Sequence, residues 1–167
     1  EGFAASEVAC EFVGDYLPDN LSSAIVSNRH TGLDICIHFQ AIGRLTPKIW
    51  QNLNMLRFHK NNEGVDKHDD KFPDKYEVLK IAENMVNKEF HGGNERFFLY
   101  VDIDHEKVKG HFSRELFLYG AEDYVKQKYN ILSRSYNGRL DEKGKKSFSY
   151  EKIIEAEKQR LLETYLM

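Results

Sequence analysis

Two aspartates, Asp102 and Asp104, close the apolar run that starts at Arg96 and reads RFFLYVDID. Alternate side chains of a strand share a face, so the two carboxylates are expected to point the same way. Hard divalent cations take oxygen ligands, and closely placed carboxylates can share them. Two such ions can steady the attacking and leaving oxygens of a phosphoryl transfer. A second apolar run, His111–Tyr119, follows the charged loop His105–Gly110. Read as a β-hairpin closed by that loop, Asp104 faces His111, Asp102 faces Ser113 and Tyr100 faces Glu115. Asp102, Asp104, His111 and Glu115 then lie on one face. Asp102, Asp104 and His111 become the catalytic candidates, and Asp102, Asp104 and Glu115 the ligands of Mg²⁺ or Mn²⁺. A slip of one residue disperses the cluster. The other face takes Phe97, Leu99, Val101, Ile103, Phe112, Leu116 and Leu118, with Arg114 out of place among them. The competing reading makes Asp-x-Asp a polar turn that blunts a sheet edge.

The apolar run ending in Asp102-Ile103-Asp104 resembles the first metal motif of archaeo-eukaryotic primases and other nucleotidyltransferases, and the Asp-x-Asp of some glycosyltransferases. The resemblance covers about ten residues and rests on a short motif. It implies a metal-dependent nucleotidyl or phosphoryl transfer. The primase pattern continues with Ser-x-His and a further strand aspartate, where this chain has Gly110-His111 and Glu115 or Glu122.

Other candidate chemistry is more dispersed. Cys36 and His38 alternate onto one face of a strand, whose plainer role is a solvated face. Asp66, His68, Asp69 and Asp70 crowd one loop without the spacing of an EF-hand. Cys10 sits among apolar residues, where a thiol is usually inert. Arg139, Lys143, Lys145 and Lys146, with Tyr136 and Phe148 interleaved, have the composition of a single-strand nucleic-acid contact or of a solvated loop. No nucleophile elbow, P-loop or dinucleotide-binding glycine pattern occurs.

Residue spacing then predicts the elements that must position these groups. Ala4–Leu17 has helical apolar spacing. Ala24–Asn28 and Leu33–Gln40 read as a first hairpin around Arg29-His30-Thr31-Gly32. Thr46-Pro47 caps a helix expected to reach Phe58 and to bury Ile49, Trp50, Leu53 and Leu56. Lys60–Pro73 reads as a mobile loop. Asp74 caps a helix with Tyr76, Leu79, Ala82, Met85, Val86 and Phe90 on one stripe, closed by Gly92-Gly93. After the central hairpin come two helices, Ala121–Leu132 with Ile131 on its apolar side, and Tyr150–Met167 with Tyr150, Ile153, Ile154, Glu157, Leu161 and Tyr165 along one side, widened by Leu162 and Leu166. The fold class is α+β: two β-hairpins form an antiparallel or mixed sheet flanked by about five helices, in the order α-ββ-α-α-ββ-α-α.

The 167 residues suit a single α+β domain over 1–167. Glu1 in place of Met leads to the expectation of a fragment or a processed precursor. With 41% apolar and 13% aromatic residues the chain exceeds a disordered composition. A net charge of −3 argues against a partner held mainly by phosphate contacts, so nucleic acid is not favoured. No apolar run approaches a membrane span. Two cysteines without metal spacing point to a reducing, intracellular compartment such as the cytoplasm. The leading functional expectation is a soluble binding or regulatory domain acting through protein–protein contacts. Its rival is the metal-dependent transfer enzyme built on Asp102 and Asp104.

Overall fold

Hydrogen-bonding needs and apolar periodicity divide this chain differently at its two ends. The computed structural model describes residues 7–11, 23, 34–39, 41–137 and 148–166. It forms two compact units, one of residues 1–53 with 61–72, the other of 54–60 with 73–167.

In the first unit, β1 (Glu7–Glu11) pairs in parallel with β2 (Asp34–His38), Glu7 facing Asp34 and Glu11 facing His38. The helix expected over Ala4–Leu17 is therefore a strand at its described positions. A ladder partner satisfies these backbone groups, and that overrides a short stretch of helical spacing. The strand predicted over Leu33–Gln40 is present, but in a parallel pair rather than a hairpin. The predicted strand Ala24–Asn28, Cys10's side chain and the Cys36–His38 face lie outside the described residues and side chains.

The Thr46 N-cap forms as expected. Its hydroxyl accepts from the Ile49 amide at 3.4 Å, and Pro47 opens α1 (Pro47–Trp50). The helix stops after one turn instead of reaching Phe58. Within this unit Trp50 lies 5.1 Å from Phe72, ring centre to ring centre, and Val65 and Phe72 are buried. The segment expected as a mobile loop is thus anchored by two apolar side chains. It winds through a 3₁₀ turn over Val65–Lys71, where His68 pairs with Glu63 at 3.1 Å.

The second unit has an antiparallel sheet in the order β3-β4-β5, from β3 (Met55–His59), β4 (Phe98–Asp102) and β5 (Lys107–Lys109). β3 replaces the second half of the predicted helix. Leu56 and Phe58 turn inward while Met55, Arg57 and His59 stay exposed, a period of two that coincided with helical spacing over a few residues. Three helices complete the unit: α2 (Tyr76–His91), α3 (Arg114–Asn137) and α4 (Tyr150–Tyr165).

α2 buries Leu79, Ala82, Met85 and Val86 of its predicted stripe and leaves Tyr76 and Phe90 half-buried, while Val78 and Ile81, outside that stripe, are fully buried too. Its cap position is Lys75, without a side-chain bond, while Asp74 sits in a preceding 3₁₀ turn. Past its C-terminus Gly93 adopts φ 96°, and the amides of Gly92, Gly93 and Asn94 bond back to the last turn's carbonyls.

The central hairpin is shorter than predicted. Tyr100 faces Lys109, Val101 faces Val108 and Asp102 faces Lys107. The expected pairing of Asp104 with His111 is overturned, because the predicted loop itself supplies the second strand. His111–Tyr119, expected as that strand, leads into and opens α3. Ser113 caps it, its hydroxyl accepting from the Leu116 amide at 3.2 Å. Phe117, Ala121 and Val125 recur every fourth residue and are fully buried. The Arg114 misfit resolves with this change, since Arg114 is exposed on the first turn. Ile131, expected inward, is 65% exposed. The last helix buries Ile153, Ile154, Leu161, Leu162 and Tyr165, most of its predicted face, while Tyr150, expected on that face, is 43% exposed. Among the described residues no helix is long and apolar enough to cross a membrane.

Candidate recognition cleft and the polar networks beside it

The Asp-x-Asp residues fall at the end of β4, where the chain turns within four residues into β5. Asp102 is 5% exposed. One oxygen, Oδ1, accepts from the His105 amide at 3.0 Å and lies 3.0 Å from His105 Nδ1; Oδ2 accepts from Lys109 Nζ at 2.6 Å. The Lys109 ammonium and the His105 amide hold this carboxyl well below the usual carboxylate range, against the opposing effect of burial. Asp102 thereby closes the turn and ties it to the second strand. Asp104 is exposed and accepts from Asn54 Nδ2 at 2.6 Å. His111 and Glu115 are exposed, Glu115 on the first turn of α3. The pairing that would gather the four residues is not formed. Among the described residues no group of three or more His, Cys, Asp or Glu side chains is placed to hold a metal ion.

A second network joins the three helices. The Arg160 guanidinium of α4 makes two bonds to Glu77 of α2, at 2.8 and 3.2 Å, and one to Glu157 at 2.8 Å. Tyr165 donates to Glu77 at 2.6 Å, and Tyr136 of α3 donates to Glu157 at 2.7 Å. Burial acts to raise the Glu77 carboxyl, but the bonds from Arg160 and Tyr165 outweigh it and hold it below its ordinary value. Burial and the neighbouring carboxylate push the Tyr165 hydroxyl up. Forked guanidinium–carboxylate bonds fix orientation, so this network sets how α4 lies on α2.

A concave feature of this unit lies between α2 and α3. Asn84, Asn87, Lys88 and His91 line it from α2, and Tyr119 and Asp123 from α3, around a cleft of about 340 Å³. Two local features build it. Gly120 lets the helices approach closely: a Cβ there would stand 2.7 Å from Met85 Cγ and 2.9 Å from the Ile81 carbonyl oxygen. Asn84, 6% exposed, then donates from Nδ2 to the Gly120 carbonyl at 3.1 Å. A carbonyl can only accept, which assigns the Asn84 nitrogen to that side and its Oδ1 to the other. At the rim, Lys88 Nζ lies 4.7 Å from the centre of the Tyr119 ring, and Tyr119 is 45% exposed. Asp123 accepts from Gln127 at 3.0 Å through one oxygen, Oδ2.

None of these lining residues was singled out from the sequence as a site. Two signals were present: a carboxamide, Asn84, inside the apolar stretch of α2, and a glycine, Gly120, inside a helix, where glycine is unfavourable without a packing reason. The predicted basic patch Arg139, Lys143, Lys145 and Lys146 lies outside the described residues. Its flanking aromatics Tyr136 and Phe148 meet edge to face at 5.3 Å. No protein-family model, curated protein or solved structure matches the chain.

Proposed function

We propose that the chain is a binding domain that acts through protein–protein contacts, with the outer side of α3 and the adjoining cleft as its contact surface. The observation that carries this reading is the pair Tyr119 and Ile131, 45% and 65% exposed on one helix. They stand about 18 Å apart along the axis. Lys126, Gln127 and Asn130 lie exposed between them. Large anchors within a polar surround are the composition of a protein-recognition surface, with tyrosine a favoured anchor. The close α2–α3 packing at Gly120 supports the reading too, because a surface held rigid loses little conformational entropy on binding.

A photo-crosslinking amino acid placed at Gln127 tests it. Capture of a discrete partner should be competed by excess unmodified chain and reduced at least tenfold by Tyr119→Ser or Ile131→Ser, an expected loss of about 1.4 kcal/mol or more per anchor. Capture indifferent to both substitutions, in variants with unchanged circular dichroism, refutes this surface.

A further inference from the structure

The cleft between α2 and α3 is asymmetric in its hydrogen-bonding character. Asn84 is 6% exposed and its nitrogen is committed to the Gly120 carbonyl. Its Oδ1 receives no donor among the described residues, and a buried acceptor of this kind calls for one. Asp123 adds a carboxylate whose Oδ2 alone is engaged, by Gln127. The wall formed by Gly92 is the C-terminal end of α2, the negative end of its dipole. The Tyr119 ring offers a π face, already visited by the ammonium of Lys88 at 4.7 Å. Acceptor, carboxylate, dipole end and ring face all favour a donor carrying positive charge. Lys88 and His91 supply the opposing donors, and both are exposed at the rim.

We infer that the cleft receives a guanidinium or ammonium side chain of the partner, which donates to Asn84 Oδ1 and Asp123 and takes over the Tyr119 face from Lys88. This rests on the binding reading above and names the chemistry the partner presents. Lys88 then acts as an internal competitor: its flexible stem lets the ammonium swing out when the partner's cation enters.

The probe is N-acetyl-L-arginine amide, titrated into the full ¹⁵N-labelled chain. A Kd on the order of 1–10 mM is expected for a single side chain, with shifts concentrated on the Asn84 side-chain amide, Tyr119 and Asp123. Lys88→Gln should tighten binding by about three- to tenfold, because a like charge near the ligand is removed. Asp123→Asn should weaken it by a similar factor. Lys88 is exposed and Asp123 half-buried, so neither substitution falls in the core. The proposal is overturned if those signals do not move, if Lys88→Gln weakens binding, or if N-acetyl-L-glutamate amide binds as well. Tighter binding of putrescine than of the arginine probe overturns the assignment to a partner's side chain and points to a free polyamine. Crosslinking from Gln127 that still depends on Ile131, with no arginine response, sinks this inference while leaving the contact surface standing.

Discussion

Gly120→Ala is the sharpest perturbation of the α2–α3 contact. Alanine at a helix interior ordinarily stabilises by about 1 kcal/mol relative to glycine. Here its Cβ would sit 2.7 Å from Met85 Cγ, 2.9 Å from the Ile81 carbonyl oxygen and 3.5 Å from Ile81 Cγ2. Met85 is fully buried and has little room to swing, and the Ile81 oxygen is backbone and moves only with its helix. Overpacking of this kind costs about 1–3 kcal/mol, and the strained Asn84–Gly120 hydrogen bond adds about 1 kcal/mol. Subtracting the propensity gain leaves a net loss of about 1–3 kcal/mol. Each kcal/mol lowers Tm by about 2–4 °C in a chain of this size. Urea unfolding followed by circular dichroism, with a thermal scan, gives both numbers. A variant as stable as the parent, or more so, refutes the close approach and with it the rigid cleft. Shortening Met85 to Ala in the same chain relieves one clash and not the other, so the Gly120→Ala penalty should shrink in that background without vanishing. The separation forced on the helices should also weaken arginine-probe binding.

Two further outcomes concern the turn. Asp102 has a depressed folded-state pKa, so its contribution is present above the unfolded value near 4 and is lost as pH falls through the folded value. Acid titration of stability should therefore be shallower in Asp102→Asn below about pH 4, and that variant should lose about 1–2 kcal/mol at pH 7; an unchanged acid limb counts against the Lys109 and His105 contacts. Millimolar Mn²⁺ or Mg²⁺ should leave the melting temperature of the full chain unmoved, since Lys109 and His105 occupy the Asp102 oxygens. A rise that Asp104→Ala abolishes would restore the metal-dependent reading, because a ligand specific to the folded state must stabilise it.

Local patterning alone determined the α+β class, α2 with its glycine stop, the Thr46-Pro47 helix start, the first strand of the central hairpin and the buried side of the last helix. Each rests on interactions within a few residues of itself, or on a periodicity long enough to be unambiguous. β3, β1 and the parallel pairing of β2 were decided by tertiary structure, because backbone groups of a five-residue segment take whichever partner the fold provides. The hairpin carried the larger lesson. Asp102 was correctly placed at the end of a strand, with Asp104 falling in the turn beyond it, yet their meaning depended on the strand opposite. A tighter turn and an Asp102–Lys109 bond at 2.6 Å moved His111 and Glu115 out of the pairing and into the approach and first turn of α3. The cleft was invisible for the same reason. Asn84 and Tyr119 are 35 positions apart, and only the approach of two helices across Gly120 brings their side chains to one surface.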